Sequence, residues 1–142
     1  MKIIGIITVI AILFSFACPV NPIENIWYNG SKSAKVQIYK SGDHYDGKVV
    51  WLREPKDENN LNKLDIHNPE SKLRTTPVIG MVILKNLKEN EKNVFSGGTI
   101  YDPKNGKTYS CKIKIVDAAN LDLRGFIGIS ILGRTEHWII AN

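Results

Sequence analysis

The chain has 142 residues, 19 Lys and Arg against 14 Asp and Glu, a formal net charge of +5 and only two cysteines. That length suits one domain rather than two, and two cysteines exclude a disulfide framework. The lysines are scattered singly, with no basic run and no interleaved aromatic platform, so the charge reads as a solvated surface and no nucleic-acid partner is expected.

The chain opens with Met1-Lys2, an unbroken apolar run from Ile3 to Phe14, and Ser15-Phe16-Ala17. A cationic start, an apolar core and small residues at Ser15 and Ala17 form the pattern of a secretory signal over 1–17, removed after Ala17. The run is shorter than the ~20 residues that a membrane-spanning helix needs. An exported product is therefore expected, in the periplasm or cell envelope. Cleavage there leaves Cys18 first, the place where a bacterial lipoprotein carries its lipid, whereas the bulky Phe16 speaks for ordinary cleavage. Two products stay open: a soluble protein, or one that meets the membrane only through a lipid on Cys18.

Residues 18–142 read as one domain of strands punctuated by turns. Ala34 to Tyr39 alternates apolar and polar with period two. Ser41 to Gly47 is a turn by composition, holding His44, and Lys48 to Leu52 returns as a strand. The segment Arg53 to Pro77 is polar, carries Pro55, Pro69 and Pro77, and is too long for a simple turn. Within it Asn68 and Pro69 suit the start of a short helix continuing to Arg74 and ending at Thr75-Thr76-Pro77. Val78 to Leu84 is a buried strand or a short helix, which periodicity does not decide.

Val94 to Tyr101 is the next strand, and Ser96-Gly97-Gly98 within it marks a kink or a close backbone approach. Asp102-Pro103-Lys104-Asn105-Gly106 is hairpin chemistry, followed by a strand from Lys107 to Val116 with Cys111 on its apolar side as a buried, inert thiol. Strands from Leu121 to Ile129 and from Arg134 to Ile140 complete the series. Pairing Ile115 with Leu121, Ile113 with Leu123 and Cys111 with Gly125 puts the apolar residues on one face. The same register sets Lys114 opposite Asp122, a favourable pair, and Lys112 opposite Arg124, an unfavourable one. An antiparallel meander with one dry face and no long amphipathic helix to cover it favours an all-β fold closed as a small barrel.

Catalytic and metal chemistry is weakly represented. His44, His67 and His137 lack partners at metal spacing, and there is no nucleophile elbow, phosphate loop or cofactor motif. Acidic residues gather at Glu54, Asp57 and Glu58 and again at Asp65 and Glu70; paired carboxylates hydrolyse glycosides, but acidic loop residues are more often solvated or capping.

Several segments together resemble the bacterial family called domain of unknown function 2147. They are Gly47 to Leu52, Asp65 to Pro69, Leu73-Arg74, Ile83 to Leu87, Ser96 to Pro103, Gly106 to Ser110, Arg124 to Gly128, and Gly133-Arg134-Thr135 with Trp138. The resemblance implies export and a small β-barrel, and no activity. Many members carry two cysteines in the early turn; Ser41 and Asp46 stand at the matching places, so that staple is absent. A weaker likeness is to calycins, the lipocalin-type barrels, which begin with Gly-x-Trp and lay an Arg of the last strand over that Trp. Asn25-Ile26-Trp27 and Arg134 would fill these roles, as a cation–π closure.

Two function classes follow. One is a non-enzymatic binding module that holds a small apolar ligand in or at the mouth of the barrel, or packs shut and offers its loops to an envelope protein. Trp51, Asp65, Arg74, Tyr101 and Tyr109 are its candidate binding residues, with the Arg53 to Pro77 segment beside the entrance and its short helix as a lid. The other is an envelope hydrolase using Asp57, Asp65 or Glu70, which requires carboxylates buried together beside Arg74 or Tyr101.

Overall fold

The computed structural model describes residues 18–142; the expected leader over 1–17 lies outside the described residues. Eight strands run in chain order: β1 Ile26–Tyr28, β2 Ala34–Ser41, β3 His44–Leu52, β4 Val82–Glu91, β5 Val94–Asp102, β6 Lys107–Asp117, β7 Asn120–Phe126 and β8 Arg134–Ile140. Each pairs antiparallel with the next, and β1 pairs with β8, so the sheet closes as a barrel without crossovers. Closure removes the two edges that an open sheet of this kind would leave unpaired.

The β6–β7 register follows the apolar pattern: Ile115 opposes Leu121, Ile113 opposes Leu123 and Cys111 opposes Gly125, with Lys114 against Asp122 and Lys112 against Arg124. A slip of one residue would turn every one of these apolar side chains outward. The lumen holds Trp27, Val36, Ile38, Leu84, Leu87, Phe95, Cys111, Ile113, Leu121, Leu123 and Trp138, all at most 3% exposed. An eight-stranded barrel is just wide enough to be filled by side chains, and here the lumen walls keep almost no surface open to water. Burial pushes the Cys111 thiol up to about 12, as an inert buried cysteine requires.

Two glycine positions show how tightly the wall is built. Gly97 takes φ +78 and shifts the β5 register, and a Cβ on Gly98 would lie 2.3 Å from the Lys85 carbonyl oxygen. The kink and the close approach are thus both present, and only a residue without a side chain fits the second.

The two ends of the barrel differ. One carries two-residue hairpins, Gly42-Asp43, Lys92-Asn93 and Ala118-Ala119, and is stopped by the N-terminal segment. There Ile23 is fully buried and its carbonyl accepts the Trp27 indole N–H at 3.0 Å. The other end carries all the longer connections, 29–33, 53–81, 103–106 and 127–133.

Several expectations are corrected. The turn expected over Ser41 to Gly47 shrinks to Gly42-Asp43, because Gly42 supplies the positive φ of a tight hairpin, and His44 begins β3. The helix expected over 69–74 is only a 3-10 turn, Ser71–Leu73, although Asn68 does accept the Glu70 N–H. Val78 to Gly80 form a turn, and the strand after them extends through the polar stretch to Glu91, paired with β3 as far as Leu87 and with β5 to its end. The strand expected to reach Ile129 stops at Phe126. Asp122 meets His137 rather than Lys114: His137 Nδ1 lies 2.5 Å from the Asp122 carboxylate.

Arg134 does not lie over Trp27. Trp27 pairs with Ile140 at the hairpin end, while Arg134 opens β8 at the other end, six residues away along the strand. At ~3.3 Å per residue that separation is about 20 Å. Arg134 is exposed, and the Trp27 ring is closed off by the N-terminal turn instead.

Candidate functional site

The long-loop end is the less covered end of the barrel wall. Period two continues the inward face of the walls up to Ile100, Tyr109, Gly125 and Glu136: Ile100 pairs with Tyr109, Gly125 with Cys111, and Leu123 with Glu136. Above the filled lumen these residues are only partly covered. A Cβ on Gly125 would stand 3.7 Å from both Ile100 and Tyr109, which places the three side by side. Glu136 is the inward carboxylate of this tier and accepts the Trp138 indole N–H at 3.2 Å. The mouth is thus an apolar floor with one acid and one phenol at its wall, and Arg134, opposite Gly125 on the same face, stands exposed at its rim.

The 53–81 connection straps the outside of β5 and does not hang free. Bridges Lys56 to Asn62 and Leu64 to Pro77 fold it back on itself, and the Asp57 carboxylate holds its own turn through the N–H groups of Asn59 and Leu61. Its anchor is Asp65, at 1% exposure the one buried charged side chain among the described residues. The Tyr101 hydroxyl donates to Asp65 Oδ1 and the Asn68 amide to Oδ2, both at 2.7 Å. Burial first, and then the hydrogen bond to Asp65, push the Tyr101 phenol up to about 12. A buried carboxylate satisfied by neutral donors ties the strap to the barrel wall.

The five candidate binding residues therefore divide. Asp65 and Tyr101 meet under the strap. Arg74 stays outside, donating from Nε to the Asn68 carbonyl at 2.8 Å. Tyr109 faces the mouth, its hydroxyl accepting from the Asn105 amide at 3.0 Å. Trp51 is on the outer surface, edge-on to Tyr28 with Lys35 over both rings, because a register shift beside Val36 turns its side chain outward. The acids proposed for hydrolysis are not assembled: Asp57 serves its own turn, Glu70 pairs with Lys72 at the surface, and only Asp65 is buried. Among the described residues no three His, Cys, Asp or Glu side chains gather to hold a metal ion.

Sequence reasoning missed two features. Glu136 was legible as the residue two before the inward Trp138. The aliphatic rim was hidden by the expectation that Ile127 and Ile129 continue a strand. In the fold Leu61, Leu64, Ile66, Leu73, Ile79, Ile127, Ile129, Ile131 and Leu132 all stand exposed on connections at the long-loop end.

Comparison with known proteins agrees with this architecture. Residues 25–139 match the family described as "Uncharacterized protein conserved in bacteria (DUF2147)". A solved structure, protein HP1028 of the human pathogen Helicobacter pylori, described as belonging to the lipocalin family, superposes with a TM-score of 0.77 at 21% identity over 87% of this chain and 85% of that one. A search of curated proteins finds no match.

Proposed function

The chain belongs to the DUF2147 family, and from that premise and its lipocalin-like barrel we propose that it is an exported, non-enzymatic protein that takes a small apolar ligand at the mouth of the barrel. The observation that carries the reading is the distribution of apolar surface. The lumen is filled, so a ligand has no room at depth, yet nine of the twelve large exposed aliphatic side chains stand on the long connections of the end where the inward wall is only partly covered. Ile100 and Tyr109 would form the floor, Glu136 would orient a polar group, and the strap anchored by Asp65 and Tyr101 would flank the entrance. The dispersed acids of the strap weigh against hydrolysis. Export is part of the proposal and rests on the Ser15-Phe16-Ala17 ending of the apolar leader.

Fluorescence titration of the folded protein with a hydrophobic probe tests the binding. Saturable binding that weakens by roughly tenfold in Ile100→Ser or Tyr109→Ala supports it, since each variant strips apolar contact from the floor. Absence of saturable binding to a broad panel of lipids and small apolar compounds refutes it and leaves the packed barrel as a protein-interaction module. Intact mass of protein recovered from its host tests export: a chain beginning at Cys18 supports it, a lipid-sized increment on Cys18 selects the anchored form, and a retained Met1 refutes cleavage.

A further inference from the structure

The last residue of β7 and the connection to β8, Phe126 to Gly133 together, contain no charged residue. Its Ile127, Ile129, Ile131 and Leu132 side chains are 69, 61, 77 and 77% exposed. A contiguous apolar tip of this kind is uncommon on a surface that meets only water. The backbone beneath it is paired at its C-terminal turn. Arg124 donates to the carbonyls of Ser130 and Ile131 and to the Thr135 hydroxyl, while the N–H groups of Leu132 and Gly133 reach the carbonyls of Ile129 and Ser130. Each backbone group paired in this way lowers the cost of moving that turn out of water.

Cations flank the tip. A groove of about 230 Å³ on the outer face is lined by Lys112, Lys114, Asp122, Arg124, Ser130 and Thr135. The Asp122 carboxylate in it is occupied by His137, and among the described residues neither Lys112 nor Lys114 has an ion-pair partner. Lys112 stands directly opposite Arg124, a like-charge pair that the fold tolerates without a carboxylate between them. Arg134 is exposed at the far side of the loop.

We propose that the Phe126–Gly133 loop docks the protein on an anionic lipid bilayer, with Ile127, Ile129, Ile131 and Leu132 entering the interface and Lys112, Lys114 and Arg134 meeting lipid phosphates. An apolar tip beside unpaired cations is the pattern of interfacial attachment, in which apolar burial and attraction to anionic headgroups add. A second copy of the chain fits less well, because facing loops would bring the same cations together. The proposal draws on the aliphatic rim that also supports the mouth reading, but its substitutions leave the floor residues Ile100 and Tyr109 untouched, so the two readings fail separately.

Co-sedimentation with vesicles tests it, using the chain from Cys18 onward, which holds all eight strands and the whole core. Vesicles of phosphatidylcholine alone are compared with phosphatidylcholine mixed with phosphatidylglycerol, at low and high salt. The expected result is binding to the mixed vesicles that falls with salt and drops at least roughly tenfold in the Ile131→Ser/Leu132→Ser variant. Lys112→Glu/Lys114→Glu should abolish the preference for anionic vesicles. An unchanged thermal melt of each variant separates lost docking from lost folding. The proposal is overturned if the parent stays in the supernatant with both vesicles, if the serine variant binds as the parent does, or if lipid charge makes no difference. It is equally overturned if the only effect of the serine substitutions is to dissociate an oligomer.

Discussion

Cutting the tie between Asp65 and Tyr101 should loosen the 53–81 strap. Tyr101→Phe removes a hydroxyl that donates to the buried Asp65 carboxylate at 2.7 Å and leaves the Asn68 amide as its remaining side-chain donor. A hydrogen bond to a charged group contributes about 1.5–3 kcal/mol, so Tyr101→Phe should destabilise by that amount. Asp65→Ala withdraws the acceptor from two donors but also removes a charge whose burial is costly, so its effect should be similar, about 2–4 kcal/mol. Because both substitutions break one shared bond, the double variant should cost less than their sum, by about 1–2 kcal/mol. Urea melts of the four proteins in the cycle give that coupling. Limited proteolysis gives its location: either single variant should be cut faster within 53–81 while the barrel stays intact. Additivity to within about 0.5 kcal/mol would refute the reasoning, showing that the strap is held elsewhere.

The same tie makes a prediction about pH. The folded Tyr101 phenol is raised from its ordinary value near 10 to about 12, so its contribution to stability is complete below pH 10 and is lost as pH rises through about 12. Alkaline melts between those limits should fall more steeply for the parent than for Tyr101→Phe, and parallel curves would contradict the burial of the phenol. At the hairpin end Trp27→Ala should cost about 3–5 kcal/mol, the range for emptying a buried aromatic site. Arg134→Ala should change stability by less than about 0.5 kcal/mol, as an exposed surface substitution does. Denaturant melts check both, and a large coupling between the two would restore the closure that the strand register excludes.

The strands from Lys107 to Ile115 and from Leu121 to Gly125 were legible because their alternation admits one register with a dry face, and the structure has it. Gly97-Gly98 was legible because two glycines in a strand have few other uses. β4 was not, since Lys85 to Glu91 carries only Leu87 as an inward apolar residue and reads as loop; its pairing with β3 and β5 holds it as a strand. The short helix was over-read because Asn68-Pro69 is good capping chemistry, and tertiary anchoring at Asp65 leaves room for just one 3-10 turn. Simple alternation from Val49 would turn Trp51 inward, and a single register shift beside Val36 reverses it.

By itself the sequence determined the all-β meander, its closure as a barrel and its likeness to a family, because period-two patterning and turn residues are local properties that survive reading one residue at a time. Tertiary structure alone decided which end is less covered, that the lumen is filled, and that Arg134 and Trp27 stand at opposite ends. It also decided that Asp65 is buried with Tyr101 while the other strap acids remain at the surface, and that Ile127 to Leu132 leave the sheet to form an exposed tip. These depend on strand count, register and the path of the long connections, which bring together residues far apart in the chain that no local pattern relates.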